Sequence, residues 1–262
     1  MNYLRIKAII AQEFFMFYRA IEIVIDLVVF PVMSIIVFGF LSKYLAGIDS
    51  PVIGKSVLMG MLLWQFIWIT QYTISLGSMW NIWSRNLSNL FVTPLSVTEY
   101  IFAQSMSGVI KALVILAFSS IITIQVFDFN LLELGIANLF WSVINLSLFA
   151  FSLGIGILGL IFRFGTRIQA FAWGALPLFQ PLTAAFYPVS VLPRSLQLVA
   201  FMLPPTYVFE AGRQALEGRP VIMGYYATAL LLNTVYLLIA ILLFNFLFKK
   251  SKESGQFARN EA

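Results

Sequence analysis

Apolar residues run almost unbroken through long stretches of this chain, and the polar residues gather in a few intervals between them. A helix crossing ~30 Å of hydrocarbon at ~1.5 Å per residue needs about 20 mostly apolar residues. Five stretches meet that length: Ile21–Leu41, Ser56–Ser78, Ile101–Phe127, Leu134–Phe162 and Tyr225–Phe248. A sixth, Ile168–Tyr187, is shorter, and Pro177 and Pro181 distort its far end. The pattern predicts an all-α integral membrane protein with six transmembrane helices over residues 21–248.

The intervals between the spans have patterns of their own. In residues 1–20, Arg5, Gln12 and Arg19 recur every seven positions among apolar and aromatic residues. That spacing predicts an amphipathic interfacial helix. No short apolar core with a small-residue cleavage site precedes the first span, so no removable signal peptide is expected. Between the second and third spans, Asn86–Val92 has room for two helical turns with Leu87, Leu90 and Phe91 on one side. Pro94 stops that helix, Thr93 is biased away from helical geometry, and Thr98 and Glu99 begin the next span. A short helix in this place is a natural knob for a partner. Residues 184–224 hold Pro188, Pro193, Pro204, Pro205 and Pro220, yet are too apolar for a solvated loop. Irregular backbone at membrane depth must be covered by protein or line a cavity. We therefore expect two short helices, about Arg194–Leu203 and Thr206–Glu217, forming a re-entrant hairpin within 188–220. Glu210, Arg213 and Glu217 lie at helical spacing, suited to pairing.

Composition sharpens the picture. The chain is 61% hydrophobic and 10% charged, with mean hydropathy +0.93. Soluble domains average roughly 25% charged residues, which excludes an ordinary soluble domain, a disordered chain and a nucleic-acid-binding module. With no Cys and no His, a zinc site, a disulfide framework, a thiol nucleophile and a His-based triad are excluded as well. No phosphate-binding G-x-x-x-x-G-K-[ST] loop occurs, so no ATPase is expected in this chain. Gly154, Gly156 and Gly159 spell G-x-G-x-x-G inside an apolar run with no strand before it, which reads as close helix packing. The net charge of +5 fits cations flanking spans and facing anionic headgroups.

Orientation follows from the cations. With the N-terminus inside, the inner segments hold Arg5, Lys7, Arg19, Arg85, Arg163, Arg167, Lys249, Lys250, Lys252 and Arg259. The outer segments hold Lys43, Lys55, Arg194, Arg213 and Arg219. Ten against five puts both termini in the cytoplasm, and residues 249–262 become a basic cytoplasmic tail. Charges inside spans are costly and face a partner or a wet cavity. Glu22 and Asp26, one turn apart on the first span, and Lys111 on the third are the intramembrane charges to account for. Trp64, Gln65, Trp68 and Tyr72 on the second span, with Gln169, Trp173 and Gln180 on the fifth, are candidates for contact with an amphipathic substrate. Lipid-facing packing is the other reading of the same aromatics.

The inner segment R-N-L-x-x-L-F-V-T-P-L-S-x-x-E-Y and the outer P-x-x-x-L-P-x-S-L-Q…L-P-P-T-Y…R-Q-A-L, set in six spans, resemble the permease of a type-2 ABC transporter. In bacteria that is the cytoplasmic-membrane subunit of exporters of drugs, lipid-linked sugars and polysaccharides. The resemblance implies that Asn86, Leu87, Asn89, Leu90, Phe91, Val92, Thr93 and Pro94 form a coupling helix docking into a separate ATPase subunit. Asn89 stands near the place where many relatives carry an acid. Glu13 and Arg19 on the N-terminal helix become further ATPase contacts, and Pro193, Pro204, Pro205, Glu210 and Arg213 belong to the hairpin over the exit path. Two permeases, in the simplest case a homodimer, and two ATPase subunits are implied. ATP and magnesium belong to the ATPase, and no cofactor or metal belongs to this chain. An amphipathic drug-like or lipid-linked substrate is the leading expectation. A polysaccharide or teichoic-acid exporter of the same family is an alternative, and an ion-coupled secondary carrier a more distant one.

Overall fold

The computed structural model describes residues 1–48, 51–220 and 223–255, and among these the regular structure is helical. The side chains of Ser88 and Phe91 and residues 256–262 of the expected tail lie outside the described residues. In chain order the helices are α1 (Tyr3–Arg19), α2 (Ile21–Val24), α3 (Phe30–Ile48), α4 (Pro51–Trp83), α5 (Leu87–Val92), α6 (Val97–Phe127), α7 (Ile136–Phe164), α8 (Gln169–Phe179), α9 (Arg194–Ala200), α10 (Pro204–Leu216) and α11 (Met223–Glu253). A π-helical turn, Ile25–Val29, joins α2 to α3. Pro31 lacks an N–H, and in a regular α-helix its ring would press on the carbonyl of Leu27, a clash that the wider turn avoids.

Among the described residues, five helical stretches are long and apolar enough to cross a membrane: Ile21–Ile48, Pro51–Trp83, Val97–Phe127, Ile136–Phe179 and Met223–Glu253. The fourth carries a break. Gly165 has a positive φ of 63°, open to glycine at no steric cost, and a short 3-10 turn over Gly165–Ile168 follows before α8 resumes. The segment expected as the fifth span is therefore an eleven-residue helix that unwinds into turns from Gln180.

α4 is the centre of the molecule. From Ser56 to Met79 every residue except Trp68 is buried, with α3, α6 and α7 packed around it. Glycines permit the close approaches. A Cβ on Gly60 would lie 2.0 Å from the Ala185 carbonyl oxygen, and one on Gly108 2.8 Å from that of Thr70. The G-x-G-x-x-G run is packing of this kind. Gly154 abuts Ile74 of α4, Gly159 abuts Phe244 of α11, and Gly156 faces open space. Polar groups join α7 to α11: Asn233 donates to the Asn145 carbonyl at 2.9 Å, and the Tyr226 hydroxyl to that of Asn138 at 3.2 Å. Such bonds tie helices together where hydrophobic burial alone gives no preference over lipid.

The Pro-rich segment carries two short helices, α9 and α10, close to the bounds expected from the sequence. α10 begins on Pro204 and Pro205, where the missing N–H groups cost nothing. Glu210 accepts from the Val189 backbone N–H at 2.8 Å and pairs with Arg213 at 2.9 Å. Glu217 pairs with Arg219. Pro193 is exposed, whereas Pro204 and Pro205 are buried. α10 packs on the first half of α4, with Gly212 against Met59 and Phe209 against Trp64. It thus sits at the opposite end of α4 from α5.

Gly60→Ala should lower stability by about 1–3 kcal/mol, because the new methyl meets backbone that cannot step aside. Gly156→Ala, with nothing within 4 Å of the added carbon, should be neutral or stabilising by up to about 1 kcal/mol. Thermal unfolding of the two variants in the same detergent separates these outcomes.

Candidate functional site

Two polar features stand out in this apolar molecule. The first is a layer of buried side chains where α1, α4 and α6 meet. Glu13 of α1 is only 2% exposed and Lys111 of α6 only 4%. The Lys111 ammonium donates to Glu13 Oε2 at 2.8 Å, and the Gln104 amide to Oε1 at 2.9 Å. Gly77 of α4 lies beside the carboxylate. Below this pair, the Gln12 amide donates to Asn81 Oδ1 at 2.8 Å, and Asn81 donates to the Tyr100 hydroxyl at 3.3 Å. Tyr100 in turn donates to Ser78 Oγ at 2.9 Å.

A second tie lies at the start of α6. Ser96 and Glu99 form a reciprocal capping box. The Glu99 carboxylate also accepts from the Asn2 backbone N–H at 2.6 Å and lies 3.6 Å from Arg5. Asn2 and Glu13 on one helix thus meet Glu99 and Lys111 on the other in step. α1 lies lengthwise along the first half of α6, in the same direction.

α5 hangs from this layer. Arg85 takes a left-handed backbone conformation (φ 54°) just past α4. The Asn86 N–H then reaches back to the Asn81 carbonyl at 2.8 Å and that of Arg85 to Ile82 at 2.9 Å, a Schellman closure that reverses the chain sharply. The Asn86 amide donates to Asn81 Oδ1 at 3.3 Å. Leu87 is fully buried and Leu90 half-buried against the core. Asn89, Thr93 and Pro94 are exposed, and Val92 is 87% exposed. Arg5 donates to the Pro94 carbonyl, and a recess of about 370 Å³ lies between α1 and the end of α5.

The other feature is a groove of about 220 Å³ on the side of α4, bounded by Trp64, Gln65, Trp68, Asp26, Trp173 and Gln180, with Phe30, Pro31 and Pro177 among its other walls. The Tyr72 hydroxyl donates to Asp26 Oδ2 at 2.7 Å. Trp173 stands edge-on to Tyr72, with ring centroids 5.5 Å apart, and 6.5 Å from Trp68. Gln65 donates to the Pro31 carbonyl at 2.8 Å.

The structure brings together most of the candidates on the second and fifth spans, and adds Asp26 from the first. Gln169 is the exception: it is exposed at the start of α8 and lies off the groove. Glu22 is exposed one turn from Asp26. Arg19 is exposed at the end of α1, as a partner contact requires. Glu13 is not: its carboxylate faces Lys111 and Gln104, so the expected surface contact is replaced by an internal ion pair. The seven-residue spacing of Arg5, Gln12 and Arg19 gave no sign that the neighbouring Glu13 turns inward. Glu99 and Ser96 were missed as ties to α1, although S-x-x-E before an apolar run is legible as a capping box. On Arg213, Nε and Nη1 are buried without a partner among the described residues.

Compared with known families, residues 5–216 match the model described as ABC-2 type transporter. No curated protein matches the chain.

Glu13→Gln leaves the Lys111 charge buried and unpaired, and should cost about 3–5 kcal/mol. Adding Lys111→Met to that variant should recover most of the loss. Thermal unfolding of the single and double variants reads this directly, and equal losses in both would show that the ion pair is not what holds α1.

Proposed function

The chain belongs to the ABC-2 type transporter family, and we propose that it is an export permease whose α5 is the helix through which a separate ATPase subunit drives it. It is a multi-pass membrane protein and the permease component of an ABC transporter. Family membership implies an ABC ATPase as partner. In the proposed arrangement α8 and the turns after it make the fifth of six crossings. Both termini face the cytoplasm of a bacterial cell, across its cytoplasmic membrane. Two copies of this chain, as a homodimer, engage two ATPase subunits, which hold the ATP and magnesium. No cofactor is assigned to this chain.

The observation that carries the reading is α5: a short helix between two long ones, anchored by Leu87 on one side and open at Asn89, Val92 and Pro94 on the other. Its attachment matters as much as its exposure. Asn86 and Asn81 link it to α4, and Arg5 links its far end to α1. A push on α5 therefore reaches α1, α4 and α6 as one body. Nucleotide binds the two states of the complex with different affinity, and this difference supplies the driving free energy. Rigid-body shifts of the spans then open a path between the two permeases. The substrate is an amphipathic drug-like or lipid-linked molecule.

Val92→Asp places a charge at the most exposed apolar position of α5 and should weaken ATPase retention during purification by about tenfold or more. The variant permease should elute as the wild type does in gel filtration. Unchanged retention would remove α5 as the docking element, and a wild-type chain that retains no ATPase would overturn the transporter reading.

A further inference from the structure

Among the described residues, the groove beside α4 is lined by one carboxylate, several aromatic rings and no cation. Asp26 takes part in no ion pair among the described residues, in contrast to Glu13, which has Lys111. The nearest acid or base on its own helix is Glu22, one turn earlier and also acidic. Its polar partner is the Tyr72 hydroxyl, which donates a single hydrogen bond to Oδ2 and brings no positive charge. An anionic group at the wall of a membrane-embedded groove is costly to keep unless something positive enters.

The walls narrow down what enters. Trp68, Trp173 and Tyr72 meet at steep angles, 53° and 87° between neighbouring rings. Rings so disposed form a corner, and indole faces attract cations, most strongly when the cation is poorly hydrated. A compact, strongly hydrated metal ion takes six or more oxygen ligands, several of them anionic, whereas this groove offers one carboxylate beside the neutral oxygens of Gln65, Gln180 and Ser34. A volume of about 220 Å³ admits an ammonium head but not a large body. Phe30 lines the groove and is 58% exposed, as are Met33 and Val37 further along α3 to a similar degree, which leaves apolar surface beside the groove for an alkyl or aromatic tail. The Trp173 indole N–H is buried without a partner among the described residues, which leaves a donor for an oxygen near the cationic centre.

We propose that this groove binds the head of a cationic amphiphile, a substituted ammonium held between Asp26 and the indoles of Trp68 and Trp173. The inference names the substrate class of the permease and rests on that reading for its purpose, although binding itself can be measured on the permease alone.

The test is saturable binding of tritiated dodecyltrimethylammonium to the full chain in maltoside detergent. Competitors are dodecyl sulfate and the neutral isostere, in which carbon replaces the nitrogen. The wild type should bind the cation, and neither competitor should displace it. Asp26→Asn, which keeps the Tyr72 bond, should weaken binding about tenfold or more, and Asp26→Glu should restore part of it. Equal binding by Asp26→Asn, or equal displacement by the neutral isostere, overturns the proposal. If Asp26→Asn fails gel filtration, Trp68→Ala decides: binding unchanged from wild type overturns the proposal, and binding lost supports it. A chain that retains its ATPase but takes up no cation sinks this inference and leaves the transporter reading standing. A chain that binds the cation but retains no ATPase does the reverse.

Discussion

A carboxylate and an ammonium buried side by side in an apolar helical bundle constrain the rest of this structure. Each charge alone would be expelled toward water, and each is tolerable only because the other is 2.8 Å away. The pair also has direction. Lys111 belongs to α6, and Glu13 to a helix with no apolar stripe long enough to span a membrane. Gln104 occupies the second carboxylate oxygen, so the acceptor is shared between two donors on one helix face. This fixes α1 against α6, and Asn2 and Arg5 at the other end of α1 set its register through Glu99. Once α1 is placed, Gln12 reaches Asn81, Asn81 orients Asn86, and α5 projects at a defined angle.

Much of the architecture was legible because bilayer thickness imposes a length. The apolar runs around Ile21, Ser56, Ile101, Leu134 and Tyr225 all became long helices, with boundaries that moved by a few residues. The two short helices α9 and α10 were legible for a different reason. Proline fixes where helices begin, and α10 starts on Pro204. The position of each helix in the bundle was not written in any local pattern. α4 is buried on every side, yet its hydropathy is no greater than that of α11, which is exposed along much of its length. Being surrounded is a property of the neighbours.

The polar residues show the same limit at finer grain. The four-residue spacing of Trp64, Trp68 and Tyr72 correctly marked one face of α4, because i and i+4 share a face in any helix. Asp26 joins that face from another span, through a contact 46 positions away in sequence. Glu13 and Lys111 are 98 positions apart, and periodicity within α1 carries no trace of that distance. Gln169 is the first residue of α8, a full turn before Trp173 and exposed there, so it stops short of the groove that Trp173 and Gln180 reach.

The loose turn at Ile25–Val29 has a consequence for the first span as a whole. Each residue of an α-helix advances the azimuth by about 100°, so one surplus residue in a turn puts the stretches on either side out of phase by about that angle. The half bearing Ile23 is aimed at one set of neighbours, and the half bearing Ile35 at another, with Asp26 inside the dislocation itself. The azimuth of the carboxylate is therefore a variable separate from the identity of the side chain. Two chains with the same residues along this span, differing only in which turn holds the surplus, would present Asp26 to different walls.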